Sequence, residues 1–241
     1  MTRIGILGAQ GRMGKWIDQI TQKDFASQAQ IQMRLGRGDD LKSLLNAKTL
    51  DVVIDVSLPI AMQALVSEAL QSQHELPAFV VGSTGWTDAG ISDLKKLAKK
   101  TPVLLSSNFS VGVYALNKIL RENSVLLKKL GYTPVLVETH HRHKKDAPSG
   151  TALSLQQSLS PYTTGEIQTH CIRAGEVIGD HEVTFYGSAD QIKLMHSAQD
   201  RSIFARGAIE VALWVASLRK HSDTPERLLG MNDYFEHLSL Q

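Results

Sequence analysis

Ile4-Gly-Ile-Leu-Gly8-Ala-Gln-Gly11-Arg-Met-Gly14 is the stretch on which the reading of the fold turns. The apolar run Ile4 to Leu7 predicts a strand, and it feeds directly into spaced glycines and a helical pattern over Gly11 to Gln22. Glycine lets the backbone turn sharply and approach a pyrophosphate closely. The N-terminus of the following helix then supplies N–H groups and the positive end of a dipole. The spacing is GxxGxxG rather than GxGxxG, so a tight turn in an ordinary α/β protein would share it. Its position, opening a βα unit, favours a dinucleotide site.

Outward from this turn, short β-branched runs alternate with helical patterns. Ile31 to Leu35 and Asp51 to Val56 read as strands, with a short helix over Asp39 to Asn46 between them. Pro59 fits the first turn of the next helix, where its missing N–H costs nothing. Phe79 to Val81 and Val103 to Leu105 are further strands, separated by an amphipathic helix over Asp88 to Lys99. This order predicts a parallel sheet with helices on both faces. The pattern then changes. A helix over Val111 to Leu130 precedes a strand over Pro134 to Glu138, a polar run over Thr139 to Asp146 and a helix over Thr151 to Leu159. Gln168 to Arg173, His181 to Tyr186 and Gln191 to His196 follow as strands, and the final helix, Ser202 to Leu218, has one broad apolar face suited to packing on the first domain. The expected fold class is therefore α/β. A Rossmann-type, doubly wound dinucleotide-binding domain spans 1–108, completed by 202–241. A second, α+β domain with a mixed or antiparallel sheet spans 109–201.

Bulk composition narrows the function. Hydrophobic residues are 42% of the 241, enough for packed cores, and the formal net charge is only +2. Nucleic-acid binding would call for a basic excess, so it is not expected. Cys171 stands alone, which rules out an intrachain disulfide. The opening apolar run is too short for a secretory leader, and no window reaches the roughly 18 apolar residues of a membrane span. The expectation is a cytoplasmic protein with no membrane partner.

Strand two ends in Leu35-Gly36-Arg37-Gly38-Asp39-Asp40. A carboxylate here would read a ribose 2′-hydroxyl, and arginine would meet a 2′-phosphate. Arg37 leans the reading to NADPH, with NADH also usable, although exposed arginines are often plain loop charges. Asp39 or Asp40 reaching back to the ribose would reverse it. Gly82-Ser-Thr-Gly85-Trp86 and Ser106-Ser-Asn-Phe109-Ser-Val-Gly112 follow strands four and five, where open α/β sheets place ligands. Either could equally be a turn with a helix cap.

The densest chemistry lies in Glu138-Thr-His140-His141-Arg-His143-Lys144-Lys145-Asp146-Ala-Pro148-Ser149-Gly150-Thr151-Ala152. Imidazole titrates near neutrality and suits proton transfer, and lysine is a mobile donor and point charge. Pro-Ser-Gly-Thr at a helix start offers hydroxyls and N–H groups to an anion such as a carboxylate. One segment can thus bind an acidic small molecule and protonate it. The bland reading is a solvated loop, with Ser149 and Thr151 as caps and Asp146 shaping the turn. His140, His141 and His143 match no common zinc spacing, so no metal is expected.

Taken in order, several of these motifs resemble one family. They are Gly8 to Gly14, Gly82 to Gly85, Ser107 to Gly112 and the His140-to-Ala152 block, then Ile172-Arg-Ala-Gly-Glu176, Gly179-Asp-His181 and Phe204-Ala-Arg-Gly-Ala208. The family is 4-hydroxy-tetrahydrodipicolinate reductase, formerly dihydrodipicolinate reductase. The match runs over nearly the whole chain, and its His-to-Thr block is the specific part. The resemblance implies NADPH- or NADH-dependent reduction of (2S,4S)-4-hydroxy-tetrahydrodipicolinate, via dihydrodipicolinate, to tetrahydrodipicolinate for lysine and diaminopimelate synthesis. It implies His140 as proton donor and acceptor, with Lys144 as a second donor that also binds substrate. His141 and the Gly150 and Thr151 N–H groups would hold carboxylate, with Ser149 beside them. Gly8, Ala9, Gln10, Gly11, Arg12, Met13, Gly82, Ser83, Thr84, Ser106, Ser107, Asn108 and Phe109 would line the cofactor, with Gly36 or Arg37 reading the ribose. It also implies a homotetramer built through the second domain's sheet. There are departures: many relatives carry Glu where Gly36 stands, and Ser57-Leu58-Pro59 lacks a basic residue that some members have. Two other readings compete, a dehydrogenase of another small carboxylate and a non-catalytic nucleotide sensor. A sensor would have no need of His140 and Lys144 together.

Overall fold

The computed structural model describes residues 1–162, 164–220 and 225–239, so part of the expected C-terminal stretch 202–241 lies outside the described residues. The chain divides into two compact units, Met1–Phe109 with Ser202–Gln241, and Ser110–Arg201.

In the first unit β1 (Thr2–Leu7), β2 (Ala29–Leu35), β3 (Val52–Asp55), β4 (Ala78–Val81) and β5 (Val103–Leu105) form one parallel sheet in the order β2-β1-β3-β4-β5. Every residue of β3 and β4 is buried, as expected of parallel strands covered on both faces. The intervening helices are α1 (Arg12–Asp24), α2 (Pro59–Gln71) and α3 (Asp88–Leu97). Pro59 occupies the first turn of α2, and the Thr87 hydroxyl caps α3 by accepting from Gly90 N at 3.2 Å. The strand order reverses between β1 and β3, and such reversals open a crevice beyond the carboxyl ends of the strands. In place of the helix expected over Asp39 to Asn46 stands a 3-10 turn, Leu41–Leu45, started by Asp40, whose carboxylate accepts from Lys42 N at 3.0 Å.

The second unit holds α4 (Val111–Lys129), β6 (Thr133–His140), α5 (Gly150–Ser158), β7 (Gln168–Arg173), β8 (Asp180–Tyr186) and β9 (Gln191–Ser197). The four strands make a mixed sheet in the order β7-β6-β8-β9, with only β6 and β7 parallel. β6 alternates between more and less buried positions, so one face meets α4 and α5 through Leu136, Val183 and Phe185. The strand runs two residues beyond the expected Glu138. Thr139 and His140 belong to it, not to the polar loop, because β6 is paired on both sides and the ladder carries polar residues along with it. Ser149 starts α5, its hydroxyl accepting from Ala152 N at 3.1 Å.

The chain then returns to the first unit. There α6 (Ser202–Leu218) packs on α1, β3 and β4. Gly207 makes this approach possible, since a Cβ there would lie 1.9 Å from the Phe109 carbonyl oxygen. Helix α6 is not the last element. Leu229 pairs with β5 through Leu105 N to Leu229 O at 3.0 Å, and α7 (Met231–Ser239) sets Tyr234 against Trp214 with ring centroids 5.5 Å apart. Only Tyr234 and Phe235 of α7 are buried, a stripe too thin to announce a helix in sequence.

Candidate active site

In the first unit, loops at the carboxyl edge of the parallel sheet gather one group of candidate residues. Gly8 has φ +91°, and a Cβ there would lie 2.9 Å from the Ser57 backbone, so the turn after β1 closes only on glycine. Gly8, Gln10, Gly11 and Arg37 border a cavity of about 740 Å³ that includes Leu58 and Ile60, both exposed apolar side chains. A second recess of about 320 Å³ takes in Met13, Gly82, Ser83, Thr84, Ser107, Asn108 and Phe109. Ala9, Arg12 and Ser106 border neither. Ala9 N–H bonds Leu35 O, Arg12 starts α1, and the Ser106 hydroxyl donates to Asn108 O at 2.6 Å. A glycine cradle at a helix start beside these two recesses fits a dinucleotide.

Arg37 is exposed, and the neighbouring carboxylates are engaged elsewhere. Asp39 accepts from Gly36 N at 2.8 Å, and Asp40 caps the 3-10 turn. Between the loops lies Asp55, a wholly buried carboxylate at the end of β3 that the sequence reading left without a role. Ser57 Oγ and Ser83 Oγ each donate to it at 2.5 Å. Burial pushes its carboxyl pKa up, against the hydrogen bonds from Ser57 and Ser83.

The second unit holds its own cluster of charged and titratable side chains, on the mixed sheet. Glu138 is wholly buried, and its Oε2 faces His140 Nδ1 at 2.6 Å, off the hydrogen-bond line. Its Oε1 accepts from Arg173 Nη2 at 2.8 Å and from Ser149 N at 3.2 Å. Ser149 Oγ also meets His181 Nε2 at 3.1 Å, and the His181 ring stands edge-on to His140 with centroids 5.0 Å apart. Lys144 pairs with Asp146 at 2.9 Å, while Arg173 Nη2 holds Asp146 O at 2.5 Å. His141 is half-buried next to this cluster in sequence, and His143 and Lys145 are exposed. The structure thus brings together His140, Lys144 and Ser149 and adds Glu138, Arg173 and His181. Gly150 and Thr151 form the first turn of α5, at the positive end of its dipole.

Charge sets the protonation of this cluster. Burial opposes ionisation of Glu138, but Arg173, Ser149, Cys171 and His140 outweigh it and bring its pKa to about 2. Burial lowers the pKa of His140, which Glu138 opposes and Lys144 and Arg173 reinforce. Burial, with His140 next, drives His181 down to about 3. Glu138, His140 and His181 together offer three donor atoms within 4.8 Å of one another. Arg173 and Lys144 set two positive charges around them, which works against a dication, and no metal is assigned.

The comparisons decide the family. The model of the dihydrodipicolinate reductase N-terminus matches residues 2–109, and that of its C-terminus matches 112–235. The chain belongs to the dihydrodipicolinate reductase family. A 4-hydroxy-tetrahydrodipicolinate reductase from Zymomonas mobilis is 38% identical, over 89% of this chain and 91% of the relative. One from Sulfurimonas denitrificans is 35% identical, over 90% of this chain and 94% of the relative. Among solved structures, a dipicolinate-bound dihydrodipicolinate reductase from Paenisporosarcina sp. TG-14 superposes with a TM-score of 0.72 at 21% identity, covering 95% of this chain and 97% of that one. A myo-inositol dehydrogenase from Sinorhizobium meliloti, itself a provisional assignment, reaches 0.60 at 12% identity over 94% and 92%. These two likenesses concern the fold.

Arg173 and His181 lie within the family motifs and Glu138 stands just ahead of the His140-to-Ala152 block, yet the sequence alone assigns them no role. A signal for Glu138 was available: residues two apart on a strand share a face. Ending β6 at Glu138 hid it. Arg173 and His181 needed the strand register, which pairs His140 with Arg173 and Glu138 with His181.

Proposed function

We propose that this chain is an NAD(P)H-dependent 4-hydroxy-tetrahydrodipicolinate reductase. It would take (2S,4S)-4-hydroxy-tetrahydrodipicolinate, by way of dihydrodipicolinate, to tetrahydrodipicolinate in lysine and diaminopimelate synthesis. The supporting observation is a family match over both units combined with a buried His140 that shares its cluster with Lys144 and the start of α5.

In this reading the glycine turn and helix α1 hold the pyrophosphate, and Leu58 with Ile60 offers an apolar wall to the adenine. When bound, the nicotinamide supplies hydride to C4 of the conjugated ring. Lys144, His141, Ser149 and the first turn of α5 grip the substrate carboxylates. Burial lowers the pKa of the His140 imidazole and so favours its neutral form. A bound dicarboxylate adds negative charge beside it and favours imidazolium, which then hands a proton to the carbon next to C4. With Asp39 and Asp40 tied to backbone N–H groups, Arg37 is the residue that meets a 2′-phosphate, which supports NADPH with NADH as an alternative.

The proposal extends to a cytoplasmic homotetramer. Among the described residues no helix is long and apolar enough to cross a membrane. Ile172, Tyr186 and Met195 are exposed on the sheet face turned away from α4 and α5, an apolar surface suited to a second copy.

The test is to follow NADPH and NADH oxidation separately while dihydrodipicolinate synthase generates the substrate in situ. Oxidation that depends on the synthase, with the lower KM for NADPH, is expected. Cofactor binding without turnover would withdraw the reading.

A further inference from the structure

Glu138 and His140 leave β6 on the same face, two residues apart. Among the described residues Glu138 Oε2 and His140 Nδ1 have no hydrogen-bond partner, and each faces the other at 2.6 Å. The second carboxylate oxygen is taken by the Arg173 guanidinium and the Ser149 N–H. One buried carboxylate therefore touches the ring, the first residues of α5 and, through Arg173 on Asp146 O, the loop that carries Lys144. On the far side of the ring, Gly179 leaves room: a Cβ there would stand 3.1 Å from His140 Nε2.

We propose that Glu138 is the positioning residue of this site. It fixes the proton on His140 Nδ1, so that Nε2 is the atom exchanging protons with substrate, and it ties the carboxylate cradle and Lys144 to that ring. In a neutral histidine the ring nitrogen that faces an acceptor carries the proton, and a carboxylate is a strong acceptor, which leaves the other nitrogen for proton exchange. The proposal rests on the reading of His140 as the proton donor. The charged and titratable groups facing the ring are Glu138 from β6, Lys144 from the loop, Arg173 from β7 and His181 from β8. Glu138 alone among them favours the imidazolium.

Glu138→Gln keeps an oxygen for Arg173 and Ser149 and removes the charge from His140. We expect kcat to fall at least about tenfold, part of the roughly hundred- to ten-thousand-fold that general acid catalysis contributes, with the NADPH Kd unchanged. The alkaline limb of kcat/KM that follows the His140 proton should move to lower pH, because the ring has lost its anionic partner. The 15N imidazole signals of His140 should change from the Nδ1–H tautomer to a mixture. Unchanged kcat, pH limb and tautomer would overturn the proposal. Should the variant fail to fold, the wild-type spectrum decides: an Nε2–H tautomer in the resting enzyme is the overturning result. Full activity in His140→Gln would sink the reading beneath it. A crippled His140→Gln beside a normal Glu138→Gln would sink the positioning role alone.

Discussion

The parallel-sheet unit offers its ligand mostly backbone, and the mixed-sheet unit offers mostly charge. At the first, Gly8 and Gly11 line the cleft, and the buried carboxylate Asp55 is turned inward onto Ser57 and Ser83. At the second, Glu138, His140, Arg173 and His181 are packed into one charge-balanced cluster. Backbone recognition depends on shape, and a Cβ in the wrong place damages it. A buried charge network depends on every member being present, since removing one leaves another uncompensated at a cost of about 3–5 kcal/mol. In the proposed function, the contrast separates holding a cofactor from moving a proton.

Lys144→Ala puts the largest strain on that separation. We expect kcat/KM to drop by about a hundredfold, roughly 2.7 kcal/mol of transition-state stabilisation, and dipicolinate to bind more weakly. NADPH affinity measured by fluorescence titration should hold. An equal loss of NADPH binding would mean that the two tasks are not divided as described. Arg37→Ala asks the converse question of the cofactor edge. One charge-assisted contact is worth about 1.5–3 kcal/mol, so the KM for NADPH should rise about tenfold or more while that for NADH barely moves. Equal changes would place the 2′-phosphate reader elsewhere.

Acid should distinguish the two regions by sign. Depressed pKa values mean that Glu138 and His181 stabilise the fold at neutral pH. The His181 share is lost as pH falls from 6.5 toward about 3, and the Glu138 share as it falls from 4.5 toward about 2. Asp55 is raised, so its burial favours the fold below the ordinary carboxylate range and costs stability as pH climbs through its folded value. Hydrogen exchange at pH 7 and pH 4 reads this region by region. Peptides over 133–149 should lose protection in acid while those over 52–57 keep theirs. A uniform loss would contradict the assignment.

How much was legible in sequence follows the same division. The glycine turn is contiguous and its physics local, so the parallel sheet, its order of elements and most of the cleft could be read from Gly8 to Gly14 outward. His140, Lys144 and Ser149 were legible for the same reason, lying within one run. Their supports were not. Arg173 and His181 come from other strands, and only the register of β6 against β7 and β8 sets them on Glu138. Asp55 was hidden although it lies within the strand read over Asp51 to Val56, because a wholly buried carboxylate goes against its residue type. Helix α7 was missed because it buries little of its surface.

The most direct test is His140→Gln, with pre-steady-state turnover and NADPH affinity measured on the same preparation. We expect kcat to fall about a hundred- to ten-thousand-fold with the NADPH Kd within about twofold of wild type, a difference of roughly 0.4 kcal/mol. Normal turnover, or a loss of cofactor binding that matches the loss of rate, would contradict the placing of proton transfer on the mixed sheet.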